Sequence, residues 1–232
     1  MNILVTGATK GIGKAIAISL SGNIYATGRN IEALKEYQNF CACDISTLDG
    51  MKELGEYIQQ NQIDVLINNA GEYLYTPAIE GFKLENIEHI TRLNLEAPLY
   101  LTSCAVPYMK TNGFGRIINI GSISGVMGEA NASLYSATKA GLIGATKALA
   151  LELAEYGITV NTINPGWVDT DLGNSSCEDS AFSKEEITEC IPQRRFISPS
   201  EIAGMVKYLI SEEAKGVTGQ SINLCAGLSV GY

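Results

Sequence analysis

Short, nearly uninterrupted apolar runs alternate with longer helical stretches along this chain, and that alternation narrows the folds open to it. Asn2–Thr6, Ile24–Thr27, Asn39–Cys43, Asp64–Asn68, Arg116–Gly121, Thr159–Asn164 and Gln220–Cys225 read as strands. Between them Gly11–Ser21, Asn30–Tyr37, Leu48–Gln60, Glu85–Lys110, Ser133–Tyr156 and Pro199–Ser211 read as helices, the fifth closed by Gly157. A strand with one wet face alternates apolar with polar residues, whereas a continuous run belongs to a strand covered on both faces. The pattern predicts a parallel sheet with helices on both sides. No Pro/Gly/Ser linker divides the chain, so residues 1–232 are expected to form one domain. One long polar stretch, 167–198, interrupts the alternation and reads as a lid.

The 232 residues carry a net charge of −9, and 46% of them are hydrophobic. That balance argues against a nucleic-acid partner, which calls for a basic face, and against a disordered chain. No apolar run reaches the length of a membrane span. Met1–Gly7 has no basic leader and reads as the start of a folded strand, so the expected compartment is the cytoplasm. The six cysteines fall in no zinc-type spacing, and buried free thiols are expected. With His89 the only histidine, no His-rich metal site is expected, and acid–base chemistry falls to Tyr, Lys, Asp or Glu.

Thr6-Gly7-Ala8-Thr9-Lys10-Gly11-Ile12-Gly13 lies between the first strand and the first helix. Its glycines are spaced G-x3-G-x-G rather than G-x-G-x-x-G. They permit a sharp turn, a close backbone approach to a pyrophosphate and tight packing of helix on sheet. A helix N-terminus then faces the anion. A binder of NAD needs a carboxylate at the end of the second strand, but the sequence there is Ala26-Thr27-Gly28-Arg29-Asn30. Arg29 and Lys10 favour a 2′-phosphate, hence NADP(H) over NAD(H). Tyr135 and Lys139 are four apart on one helix and share a face. An ammonium beside a phenol lowers its pKa and suits it to exchange a proton with a carbonyl or alcohol. Ser122, at the carboxyl end of a strand, is placed to bond the same oxygen.

With Asn68-Asn69-Ala70-Gly71, Asn94 and Asn164-Pro165-Gly166 added, the chain resembles the short-chain dehydrogenase/reductases over essentially its whole length. The resemblance implies a Rossmann-type doubly wound sheet of seven mainly parallel strands and hydride transfer between a nicotinamide and a carbonyl or alcohol. It implies Tyr135 as general acid/base, Lys139 as the residue that lowers its pKa and holds the nicotinamide ribose, Ser122 as the group that polarises the carbonyl, and Asn94 as the holder of a relay water. It places Gly7, Thr9, Lys10, Gly11, Ile12 and Gly13 on the pyrophosphate side, and Arg29 and Asn30 at the 2′-phosphate. Asp44, Ile45, Asn69, Ala70 and Gly71 then fall at the adenosine, and Pro165, Gly166, Val168 and Thr170 at the nicotinamide. Several stretches, among them Gly115–Ser122 and Gly157–Asn161, look like 3-oxoacyl-(acyl carrier protein) reductases, and Asn223–Leu228 like polyketide ketoreductases.

Two departures bear on the substrate. The carrier-docking arginines of that subgroup align with Gly113 and Tyr156, and Lys110 lies nearby but out of register. The lid carries Glu178, Asp179, Glu185, Glu186 and Glu189 against Lys184. Both disfavour an acidic acyl carrier protein as partner and leave a free small ketone, aldehyde or alcohol as the leading substrate class. Met127 and Trp167 are candidate substrate contacts; Trp167, Leu172, Phe182 and Ile191 read equally well as an apolar substrate wall or as a lid packing on its own core. A non-catalytic NADP(H) sensor is the alternative of another class. The long helices, rich in Ala and Leu, resemble those that pair the family into homodimers or homotetramers.

Overall fold

The computed structural model describes residues 1–173 and 183–230. Seven strands form one parallel sheet in the order β3-β2-β1-β4-β5-β6-β7. They are β1 (Asn2–Thr6), β2 (Asn23–Gly28), β3 (Asn39–Ala42), β4 (Val65–Asn68), β5 (Gly115–Ile120), β6 (Ile158–Pro165) and β7 (Ser221–Leu224). The apolar runs are continuous because alternate residues enter two different cores. Ile3 and Val5, Val65 and Ile67, Ile118 and Ile120 face one side. Leu4, Leu66 and Ile117 face the other. All nine are essentially removed from water, each contributing roughly 1.5–3 kcal/mol of burial.

The first core is closed by α1 (Gly11–Ser19) and a helix at Pro199–Leu209, which pack on each other. The second is closed by α3 (Leu48–Gln60), α5 (Ala97–Asn112) and α7 (Ser133–Leu153). The Pro199 helix begins with a capping box, Ser198 and Glu201 each bonding the other's backbone.

Three features depart from the sequence reading. The single helix expected over Glu85–Lys110 is α4 (Leu84–Thr91), a π-turn at Arg92–Glu96, and α5. The π-turn carries Asn94 inward, fully buried, as such turns often do at functional sites. The 167–198 stretch is not wholly irregular, since Lys184–Cys190 is a helix with its own capping box from Ser183 and Glu186. Cys41, Cys43, Cys104 and Cys225 are buried, but Cys190 is exposed, on the solvent side of that helix. Cys177, Glu178, Asp179 and Phe182 lie outside the described residues.

A polar ladder crosses the buried sheet near its carboxyl edge. Asn68, Asn119 and Thr162 are laterally paired on β4, β5 and β6. Asn68 Nδ2 donates to Asn119 Oδ1 (2.9 Å), and Asn119 Nδ2 donates to Thr146 Oγ1 (2.9 Å). Thr146 and Thr162 share a hydroxyl bond of 2.6 Å. Thr146 belongs to α7, so the ladder bolts that helix to three strands at once. Buried polar groups cost free energy unless paired, so this register is specified as well as stabilised.

Candidate active site

The strand order reverses between β1 and β4, opening a crevice at their carboxyl ends where sheets of this type take ligands. Thr6 Oγ1 accepts the N–H groups of Asn69 and Ala70 at 2.9 Å each. Asn69 Nδ2 donates to Thr6 O (2.8 Å) and Gly7 O (3.3 Å). The Asn69 side chain thus braces the glycine turn. Gly7 and Gly11 adopt φ of +67° and +53°, conformations that favour glycine. A Cβ at position 13 would collide with the Gly7 carbonyl, and one at position 7 would lie 3.1 Å from Ala70 Cα. No side chain caps α1. The result is a cradle of bare backbone with a helix N-terminus behind it, which fits a pyrophosphate. Thr170 stands across it, its Cγ2 3.5 Å from where a Gly11 Cβ would be.

At the end of β2, Gly28 lets the Thr9 side chain pack close. Arg29 is largely exposed and 4.0 Å from the Asp44 carboxylate. Lys10, in the glycine turn, is also exposed. Burial raises the Asp44 pKa, but hydrogen bonds from the Ser46 hydroxyl and N–H (2.7 and 3.0 Å) outweigh it and hold the carboxyl below its ordinary value. Ile45 is buried beneath. The Asn30 side chain caps the short helix Ile31–Leu34, bonding Ala33 N at 3.2 Å, which leaves only its other atoms for a ligand.

Tyr135 and Lys139 open α7 as the spacing predicts, and Ser122 follows β5. Lys139 Nζ donates to Ile120 O at 2.9 Å and lies 5.7 Å from the centre of the Tyr135 ring. Gly71 passes close by. A Cβ there would sit 3.1 Å from Asn94 Oδ1 and 3.3 Å from Lys139 Nζ. Gly125 packs on the Lys139 backbone, so the loop after β5 seats directly on the catalytic helix.

The electrostatics differ from the simple expectation. Burial pushes Lys139 down to about 8. Burial also pushes Tyr135 up to about 12, the Ser122 hydroxyl pulling the other way and the Glu129 charge adding to the rise. The lysine does not depress the tyrosine in the free protein, because desolvation outweighs a cation that bonds a backbone carbonyl instead of the phenol. The Asn94 side chain is also engaged. Its Oδ1 accepts from Glu72 N (3.0 Å) and its Nδ2 donates to Glu72 O (2.9 Å), so it fixes the chain that follows Gly71.

Sequence reading missed a second group of residues here. Ser122 Oγ donates to Ser124 Oγ (3.0 Å), and Ser124 Oγ donates to Glu129 Oε2 (2.5 Å). Tyr73 donates to Glu129 Oε1 at 2.9 Å, and its ring meets Tyr135 edge-on, centroids 5.2 Å apart. The available signal was that Glu129 is the only charged residue between Ser122 and Tyr135.

Of the proposed substrate wall, Met127 is exposed at the rim. Trp167 packs on Phe196, centroids 5.8 Å apart, and Ile191 lies in the core. Of the two readings open for Ile191, the structure selects the core one, because the lid packs onto the sheet there. Leu172 is partly exposed. Val168 bridges Ile197 beside Pro165-Gly166, and Gly166 N donates to Leu224 O at 3.0 Å. His89 is a surface residue, its Nε2 3.0 Å from Glu72 Oε2. No cluster of metal-ligating side chains occurs among the described residues. Nor is any described helix long and apolar enough to cross a membrane.

Comparison with known proteins agrees with this arrangement. A family model described as enoyl-(acyl carrier protein) reductase matches residues 7–229. The 3-oxoacyl-(acyl carrier protein) reductase of Rickettsia bellii is 37% identical, over 97% of this chain and 95% of that one. The chain belongs to the short-chain dehydrogenase/reductase family. Nodulation protein G of Azospirillum brasilense is also 37% identical, over 97% of each chain. Among solved structures, actinorhodin polyketide ketoreductase with NADPH superposes at a TM-score of 0.91 and 35% identity, over 99% of this chain and 97% of that one. A putative NAD(P)-dependent gluconate 5-dehydrogenase of Beutenbergia cavernae, with bound NADP, superposes at 0.92 and 32% identity, over 98% and 96%. The chain is thus an oxidoreductase of this family, with the family's Rossmann-type fold.

Proposed function

We propose that this oxidoreductase is an NADP(H)-dependent carbonyl reductase acting on a free small ketone or aldehyde, and on the alcohol in reverse. The observation that carries the reading is the convergence of Ser122, Tyr135 and Lys139 on one point of the crevice, beside a glycine cradle. NADP(H) fits because Arg29 and Lys10 stand where a 2′-phosphate would lie and no carboxylate ends β2. Both solved relatives named above were crystallised with the phosphorylated cofactor.

When bound, the nicotinamide supplies or accepts the hydride. The protein's own part is to manage a proton. Tyr135, held near 12, keeps its proton at neutral pH and can give it to a carbonyl oxygen as negative charge grows there. Ser122 donates a second hydrogen bond to that oxygen. Lys139, near 8, is mostly protonated at pH 7 and stabilises the phenolate left behind. Asn94 holds Glu72 and Gly71 against this pair. In the reverse direction the same phenolate takes the alcohol proton.

A second reading, reduction of 3-oxoacyl groups on acyl carrier protein, is favoured by the printed activity of the Rickettsia relative. Against it stand the two docking positions. Gly113 ends α5 in a left-handed conformation, and Tyr156 is covered by the Lys110 ammonium, 4.0 Å from its ring centre. NADPH consumption with one β-keto group, presented on carrier protein or as a free thioester, tests the choice. Comparable or faster turnover of the free form is expected, and a large preference for the carrier would establish the second reading. A sensor role predicts no turnover by the parent protein, whereas the proposed chemistry predicts turnover that Tyr135→Phe abolishes with NADPH binding retained. A homodimer or homotetramer is expected, so size exclusion should show a mass above that of one chain.

A further inference from the structure

We propose that Glu129 is a specificity-determining residue whose carboxylate accepts a hydrogen bond from a hydroxyl or ammonium group adjacent to the reacting carbonyl. The enzyme would thereby select neutral or cationic hydroxy- and amino-carbonyl substrates over anionic ones. This deepens the carbonyl-reductase reading above and rests on it.

The geometry comes first. Glu129 stands one hydroxyl away from Ser122, through Ser124, and one ring away from Tyr135, through Tyr73. Its backbone N–H donates to Ser136 Oγ at 3.2 Å, so the residue is held from three sides. Ser124, Tyr73 and Ser136 come from three separate stretches of chain, which fixes the carboxylate more firmly than a loop alone would. Each oxygen already takes one hydrogen bond. A carboxylate has about four acceptor sites, so both oxygens keep room for another donor. The residue is half-buried, and among the described residues no cation pairs with it.

The polarity of the chain is also set. A carboxylate only accepts, so the Ser124 proton must point to Glu129, and the Ser124 oxygen is left to receive the Ser122 proton. A substrate carbonyl must win that proton back. A substrate that also gives Glu129 a hydrogen bond gains on binding what a plain ketone does not, and a substrate carboxylate at the same place meets an unneutralised like charge.

The test uses the purified enzyme, NADPH and three ketones of similar size: hydroxyacetone, 2-butanone and pyruvate. The parent should reduce hydroxyacetone with kcat/KM at least ten-fold above 2-butanone, and pyruvate most slowly. In Glu129→Leu the ratio of the first two should collapse to within about threefold, and Glu129→Asp should restore part of it. Glu129→Gln should raise pyruvate relative to 2-butanone, since it removes charge while keeping an acceptor. Ratios are read because they cancel general damage to the site. If 2-butanone is reduced and the ratios are equal in parent and variants, the Glu129 inference is overturned while the reductase reading stands. If the parent reduces none of the three, both are overturned together.

Discussion

The two walls of the crevice are built differently. The wall carrying Ser122, Tyr135 and Lys139 is a buried polar construction, with the Asn68–Asn119–Thr146–Thr162 ladder beneath it, in which only Asn68 Oδ1 is left without a partner. The other wall, of which residues 167–173 and 183–197 are described, packs Val168, Ile187, Ile191 and Ile197 inward beneath exposed charges. Trp167 stacks near Phe196, Lys184 lies 4.8 Å over the Phe196 ring, and Lys184 pairs with Asp169 at 3.2 Å. One wall is held by directed hydrogen bonds between buried side chains. The other is held by contacts that tolerate change. On the function proposed above, reaction type belongs to the first wall, and much of the freedom to vary the substrate belongs to the second.

Substitutions on the two walls should separate by size of effect. Tyr135→Phe removes the proton donor and is expected to lower kcat by about 10²–10⁴-fold with little change in NADPH affinity, checked by single-turnover assay and fluorescence titration. Lys139→Met should lower kcat by at least about tenfold yet raise stability by about 1–2 kcal/mol at pH 7. The sign follows from the lowered pKa. Below about 8 the folded state carries the full cost of a buried ammonium, and the cost disappears above 10.5, where the unfolded chain is also neutral. The stability gap between variant and parent, measured by urea unfolding, should therefore narrow as pH rises from 8 to 10.5. Asn119→Ala removes one hydrogen bond from each of Asn68 and Thr146 and should cost about 1–3 kcal/mol in the same assay.

Arg29→Ala touches neither wall. It should raise KM for NADPH about tenfold and leave KM for NADH nearly unchanged. On the lid, Lys184→Ala should change stability by less than about 0.5 kcal/mol, because both partners of its ion pair are well exposed. A loss above 2 kcal/mol there would erase the contrast between the walls.

The sheet was legible because its strands are buried on both faces and their apolar runs are continuous. Ser122, Tyr135 and Lys139 were legible because a helix spacing and a strand end fix where they point. What stayed hidden depended on contacts between distant residues. Nothing in Arg92–Glu96 announces a π-turn, because it arises where Asn94 reaches across to Glu72. Ile191 stayed open between pocket wall and core because sequence alone does not show which side of a lid packs inward. The rise of the Tyr135 pKa was missed for the same reason: the four-residue spacing places Lys139 nearby, but its burial and its bond to Ile120 O belong to the folded crevice.

The polar ladder has a consequence for the order of events in folding. Its members come from positions 68, 119, 146 and 162, spread over nearly half the chain. No fragment shorter than residues 68–162 can satisfy all of them, so a half-assembled sheet leaves buried amides and hydroxyls unpaired. The helix bearing Tyr135 and Lys139 should then dock only in the last cooperative step. In a hydrogen-exchange experiment, the amides around Thr146 should exchange only through opening of the whole domain, with the slowest rates in the molecule.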